Sequence, residues 1–182
     1  SIKLSFRAQA SAIRDGLSSY RGFFGYSPRQ LNLAHFIPTV APRINDEWLL
    51  HEPIGIGEQL VNEVADWDMV ISVENARESL KMAAPGTVIE IDTLRWQVTL
   101  PKSRDFAISM SEDFVLNEKE IPGNITVAVY TFPDAIVNAD GTRVDGAQHT
   151  VEEVAKAVTL FQELFGNYPY DRFVVVQGDF PD

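Results

Sequence analysis

Few residues in this chain are suited to chemistry, and their spacing limits what they can do. The histidines are His35, His51 and His149, and there is no cysteine. His35 lies in Leu33-Ala34-His35-Phe36-Ile37-Pro38, a strand-like run. A lone imidazole there has no second ligand with which to share a metal, so a part-buried, hydrogen-bonded role is expected. His51 precedes Glu52 and Pro53 in a loop, where it orients the loop or faces a neighbouring domain. His149, Glu152 and Glu153 imitate a ligand spacing at a helix start. Thr150 followed by Glu153 also spells a capping box, and acids suit a first helical turn, so capping is the better explanation.

The carboxylates Asp66 and Asp68 are two apart in an alternating run, so both point to one face, as an acid–base pair would require. The same alternation puts them on a solvated face opposite Trp67 and Met69, and that reading is preferred. Asn138-Ala139-Asp140-Gly141 begins like a calcium loop but lacks the closing Glu, and reads as a turn. Asn124-Ile125-Thr126 spells a glycosylation sequon whose last two residues open a strand. No Gly-x-Ser-x-Gly elbow occurs. Tyr20-Arg21-Gly22-Phe23-Phe24-Gly25-Tyr26 interleaves rings with glycines. Such a loop can stack on a sugar or dock a peptide, or its rings can fill one end of a sandwich. No catalytic, cofactor-binding or metal-ligating residue is assigned within residues 1–182.

The elements that hold these residues follow from composition and period. With 182 residues, 45% of them hydrophobic and 23% charged, the chain has apolar material for one good core and part of a second. A net charge of -11 without a Lys/Arg cluster argues against a nucleic-acid partner. Without cysteine there is neither a disulfide framework nor a thiolate metal site. No apolar run approaches the ~20 residues of a membrane helix.

Period-two patterning dominates up to about residue 132. Ile2, Leu4 and Phe6 alternate with Lys3, Ser5 and Arg7, and Trp67, Met69, Ile71 and Val73 with Asp66, Asp68, Val70 and Ser72. Leu94, Trp96, Val98 and Leu100 form one face, Phe106, Ile108 and Met110 another, and residues 125–132 a further strand. Turns fall at Ala84-Pro85-Gly86-Thr87 and Ile121-Pro122-Gly123-Asn124. The period then changes. Val151, Val154, Ala155, Val158, Phe161, Leu164 and Phe165 predict a helix over 151–165, capped by Thr150 and stopped by Gly166. Phe173-Val174-Val175-Val176 predicts a strand buried on both faces. The fold class expected is mainly β: an antiparallel sandwich or saddle over residues 1–146, then the first helix and strand of an α/β domain over 147–182. An apolar strand so close to the last residue is expected to mark a cut piece of a longer protein.

Taken in order, several stretches resemble a known family. They are Trp48, His51-Glu52-Pro53-Ile54-Gly55-Ile56-Gly57-Glu58, residues 63–73, Arg104-Asp105-Phe106-Ala107-Ile108-Ser109-Met110-Ser111, the helix, and Phe165-Gly166-Asn167-Tyr168-Pro169-Tyr170. Over roughly residues 20 to 182 the chain is similar to the aminopeptidase N-type zinc metallopeptidases, the gluzincins. The resemblance implies an N-terminal β domain leading into a thermolysin-like catalytic domain. That domain would carry a Gly-Met-Glu-like motif for the substrate's amino group and an HExxH helix with a downstream Glu holding zinc. None of these motifs is spelled in residues 1–182. The family's segment matching residues 31–42 can carry Pro-x-x-Asp, whereas Pro38-Thr39-Val40-Ala41 lacks the acid, so no substrate contact is assigned there.

The implied role is thus a non-catalytic N-terminal part of a zinc aminopeptidase. Zinc and peptide substrate would belong to the parent protein, with no cofactor in this part, and the parent's own catalytic domain would be its partner. The alternatives are a carbohydrate- or protein-binding β module, or the support domain of an inactive metallopeptidase-like protein. The helix's apolar face is expected either to pack back on the β domain or to pair two copies as a homodimer.

Overall fold

The computed structural model describes residues 3–13, 24–50, 62–134 and 136–179. In chain order the first strands are β1 (Ser11–Ala12), β2 (Phe24–Tyr26), β3 (Leu31–Ala34), β4 (Arg43–Ile44), β5 (Glu47–Trp48), β6 (Ala65–Ser72), β7 (Lys81–Ala83) and β8 (Thr87–Asp92). There follow β9 (Arg95–Ser103), β10 (Ala107–Ser111), β11 (Val115–Ile121), β12 (Ile125–Thr131), β13 (Ile136–Ala139), β14 (Thr142–Asp145), helix α1 (Gly146–Phe165) and β15 (Arg172–Val176). The protein is mainly β, with a single helix among the described residues. Most pairings are antiparallel; β1 with β2 and β12 with β15 are parallel.

The chain folds in layers. Sheet β6-β9-β8 lies against the five-stranded sheet β1-β2-β3-β10-β7, sheet β11-β12-β15 covers the other face of that sheet, and α1 lies outermost. The first interface follows from alternation: Trp96, Val98 and Leu100 on β9 are buried with Ile108 and Met110 on β10 and Met82 on β7. Intervening residues of β6, such as Asp66 and Asp68, face solvent. The second interface joins Ala83 and Phe114 to Ala128, Tyr130 and Phe132. The third packs Val151, Ala155 and Val158 of α1 on Ile121, Ile125, Val127 and Val129. Each such buried Val, Leu, Ile, Phe or Met side chain stabilises the fold by roughly 1.5–3 kcal/mol. With a layer on each side, β12 is the most buried strand, in keeping with apolar residues on both of its faces.

The helix begins earlier than its sequence signature predicts. Asp145 is the N-cap: its Oδ1 accepts from the N–H of Ala147 at 2.8 Å and of Gln148 at 3.1 Å. Thr150 therefore lies inside the helix, and Glu153 pairs with Lys156 at 2.7 Å instead of closing a capping box. The expected start failed because Thr150 and Glu153 match the box by spacing, while Asp145, at the end of a hairpin, meets the orphan N–H groups first. The stop is where expected, at Gly166, with φ +96°.

Two further expectations are corrected. Residues 3–10 form no strand, and Leu4 and Phe6 are exposed, because alternation makes a strand only where a neighbouring edge supplies hydrogen bonds. The strand expected around His35 ends at Ala34, and His35 adopts φ +53°. Elsewhere glycine does what its position demands. At Gly86, φ is +76° and a Cβ would sit 2.2 Å from the Thr99 carbonyl oxygen, so the β7–β8 turn has no room for a side chain. Asp140 (φ +49°) and Gly141 (φ +81°) make the tight turn between β13 and β14, the plain turn expected there.

Candidate functional site

Among the described residues the histidines and carboxylates do not converge. His35 Nδ1 lies 2.9 Å from Asp105 Oδ2 on a half-exposed surface, and Asp105 Oδ1 also accepts the Phe106 N–H. This is a local clasp at the end of β3. Asp66 accepts the Lys102 N–H at 2.8 Å and Asp68 the Gln97 side-chain amide at 3.2 Å, so both carboxylates brace β9 from the solvent face. On α1, Glu152 is paired with Lys119 of β11 and Glu153 with Lys156; His149 shares the first turns with them but no ligand set forms. The Lys156 ammonium holds the Glu153 carboxyl below the usual range. Among the described residues no group of three or more His, Asp or Glu is placed to hold a metal ion. His51 and residues 52–58 lie outside the described residues, as do Tyr20 to Phe23 of the aromatic loop. Of that loop, Tyr26 is half-exposed and Phe24 half-buried on β2.

The densest polar constellation is one that no local pattern announces. It joins the turn before β3 to the segment leaving β15. Gln30, 4% exposed, donates through its amide to Ser109 Oγ at 2.9 Å and to the Gln177 carbonyl at 3.0 Å, and its oxygen accepts the Asp179 N–H at 2.6 Å. The Asp179 carboxylate takes Ser27 Oγ at 2.6 Å and the Arg29 guanidinium at 2.8 Å and 3.2 Å. Arg29 also reaches Asp134 at 3.0 Å and lies 4.1 Å above the Phe132 ring. Gln177 Oε1 accepts the Phe132 N–H at 2.9 Å. Hydrogen bonds from Arg29 hold the Asp179 carboxyl below the usual range, and the same contacts push the guanidinium up. Every partner in this seam is spoken for, so it fastens layers together and offers no free nucleophile or base.

A second joint lies at the other end of β15. Phe165-Gly166-Asn167-Tyr168-Pro169-Tyr170 turns the chain from α1 into the sheet. Tyr168 packs edge-on against Tyr170 and Phe173, with ring centroids 5.5 Å apart in each pair. Tyr170 Oη donates to the Lys102 carbonyl at 3.0 Å, tying the turn to the end of β9. Burial raises the Tyr168 hydroxyl above its ordinary range. Arg172 enters the strand paired with Glu118 at 2.7 Å. Between β15 and the five-stranded sheet a cleft of about 390 Å³ remains, lined by Asn32, Ala34, Ala84, Ser109, Tyr168 and Val174 among others. Its walls are mostly apolar and its alanines leave the space open.

Neither the comparison with protein-family models nor that with curated proteins finds a match.

Proposed function

We propose that this chain is a non-catalytic support domain leading into the catalytic domain of a zinc-dependent, aminopeptidase-like metallopeptidase that removes N-terminal residues from peptides. The observation that carries the reading is the joint at residues 165–172. Residues 165–170, one of the stretches that together resemble the family, form a packed joint in which Tyr168 and Tyr170 lock the helix exit against β9 and β15. A helix that ends in such a joint and passes into an apolar strand fits the opening of a covered α/β layer. The zinc that the resemblance implies finds no ligand set among the described residues, so no step of the chemistry is assigned to them. Their part is to hold a wall of the substrate chamber and to fix the direction in which the chain leaves β15.

The test is made on the natural protein that contains this chain. Hydrolysis of aminoacyl amides, lost with a chelator and restored by zinc, is the expected result. A full-length protein without that activity and without bound zinc would overturn the peptidase reading. Stoichiometric zinc on residues 1–182 alone would overturn the non-catalytic assignment.

A further inference from the structure

The dipeptide Asp-Gly occurs as Asp15-Gly16, Asp140-Gly141 and Asp145-Gly146. The first lies outside the described residues. The other two belong to one hairpin, β13–β14, and stand in opposite surroundings. Such a dipeptide carries chemistry of its own, because glycine, without a Cβ, leaves its amide nitrogen open to attack the side-chain carboxyl of the residue before it.

Asp140 and Gly141 form the loop beyond Ala139 and Thr142, the last pair of the β13–β14 ladder. Positive φ at both, +49° and +81°, is the pattern of a type I′ turn. Asp140 is exposed, and a Cβ placed on Gly141 would meet nothing within 4 Å, so the tip of the hairpin stands in open space. Among the described residues no hydrogen bond or ion pair holds the Asp140 carboxyl. Asp145 differs on each count. As the N-cap of α1, its Oδ1 accepts the Ala147 N–H at 2.8 Å and the Gln148 N–H at 3.1 Å. Gly146 is buried and already helical, so the peptide that follows Asp145 is fixed in the first turn.

We propose that Asp140 is a site of spontaneous isoaspartate formation, and that the fold singles it out over Asp145. The step needs no partner but water. The Gly141 nitrogen gives up its proton and bonds to Asp140 Cγ, while the carboxyl hydroxyl leaves with a proton as water, which closes a succinimide ring. Water then adds to either carbonyl carbon of the ring. Breaking the bond from nitrogen to Cγ restores Asp. Breaking the bond from nitrogen to the main-chain carbonyl carbon sends the chain through Cβ and Cγ and frees an α-carboxylate. At Asp145 the same closure would have to pull the carboxyl from the Ala147 and Gln148 N–H groups and turn a helical peptide. The extra main-chain carbon at position 140 does not fit a two-residue loop, so the altered hairpin loosens beside the cap of α1. The site depends on the hairpin alone and stands apart from the peptidase reading.

The test holds the natural protein that contains this chain folded in warm neutral buffer and digests samples with trypsin over time. Cleavage after Lys119, Arg143 and Lys156 puts Asp140 in peptide 120–143 and Asp145 in peptide 144–156. Isoaspartate is read as a peptide of unchanged mass and altered retention, placed by fragmentation, and as methyl transfer from S-adenosylmethionine by an isoaspartyl methyltransferase. It is expected to accumulate at Asp140 and to stay at background at Asp145. In urea, where hairpin and helix are lost, both positions are expected to convert. Asp140→Asn suits the same turn and closes the same ring with ammonia leaving, so it is expected to convert faster. A variant that does not convert faster overturns the ring closure. Equal conversion at Asp140 and Asp145 in the folded protein, or none at Asp140, overturns the proposal. A preference for Asp140 that persists unchanged in urea belongs to the sequence and overturns the role given to the fold.

Discussion

Replacing Gln30 with Ala removes the centre of the seam that fastens the exit of β15. In the folded protein Gln30 is 4% exposed and serves Ser109 Oγ, the Gln177 carbonyl and the Asp179 N–H. Ser109 keeps a partner in Asn32 at 2.7 Å, so two groups are orphaned, the Gln177 carbonyl and the Asp179 N–H. An unsatisfied buried group costs about 1–3 kcal/mol, and both of these are only part-buried, so the low end applies and the sum is about 2–3 kcal/mol. At this chain length that corresponds to a fall of roughly 4–12 °C in the unfolding midpoint. Chemical denaturation followed by fluorescence reads the stability, and exchange at the Asp179 amide reads the seam directly. If the seam opens on its own, the amide exchanges faster while the global midpoint barely moves, and the local cost is then obtained from the exchange rate. Gln30→Met keeps the volume and removes the hydrogen bonds, so it should be nearly as damaging. A Met variant that recovers most of the loss, or an Ala variant that changes neither readout, would refute the assignment of this energy to the hydrogen bonds.

Gly86→Ala should cost about 3 kcal/mol or more, since the Cβ would meet the Thr99 carbonyl oxygen at 2.2 Å in a backbone with positive φ; an unchanged denaturation midpoint would show that the β7–β8 turn can relax. Asp145→Ala should lower stability by about 1 kcal/mol while Thr150→Ala stays within about 0.5, and the reverse order in the same assay would restore the later helix start. Arg29 holds Asp179 ionised in the folded state below the ordinary carboxylate range near 3.9, so this contact stabilises fully above that range and is lost as pH falls through the depressed folded value. Stability measured between about pH 6 and 2 should therefore fall less steeply in Asp179→Asn than in the unaltered chain; parallel curves would remove Asp179 from the acid response.

Period and punctuation made the layers legible. Trp67, Met69 and Ile71 did turn inward opposite Asp66 and Asp68, and Leu94 to Leu100 did form the facing row, because a sheet with one buried face imposes period two on both strands. The run 125–132 announced a strand, and Gly166 announced the helix stop. Short strands escaped. β13 and β14 were read only as a turn, and β11 carries Asn117, Glu118, Lys119 and Glu120 at its middle, where Lys119 on one face pairs with Glu152 of α1 and Glu118 on the other pairs with Arg172, in place of an apolar row. The helix start was misplaced for the opposite reason: a correct-looking local signature competed with an equally local one five residues earlier, and only the position of the β13–β14 hairpin decides between them.

The seam illustrates why polar sites are harder to read than cores. Gln30 and Asp179 are separated by 149 residues, and neither stands in a pattern that marks it: Ser27-Pro28-Arg29-Gln30 spells an ordinary turn and Gln177-Gly178-Asp179 an ordinary exit. Hydrophobic burial is recorded along a strand at every second residue, so a few errors leave the pattern intact. A hydrogen-bonded cluster is recorded once per partner, and its meaning depends on which turn the topology brings to which strand end. The parallel placement of β15 beside β12 settles that here. It sends the chain out of the sheet at the same end where the turn before β3 arrives, and Gln30 is then the side chain long enough to satisfy a carbonyl and an N–H two residues apart. Among the described residues the same placement leaves the edge at Val174 and Val176 unpaired, above a sheet that continues beyond them. Fastening the exit and exposing the edge are therefore two consequences of one topological choice. Loosening the seam with Gln30→Ala should accordingly speed amide exchange at Gln177, next to the seam, more than at Phe173 at the far end, and equal change along the strand would separate the seam from the pairing of β15.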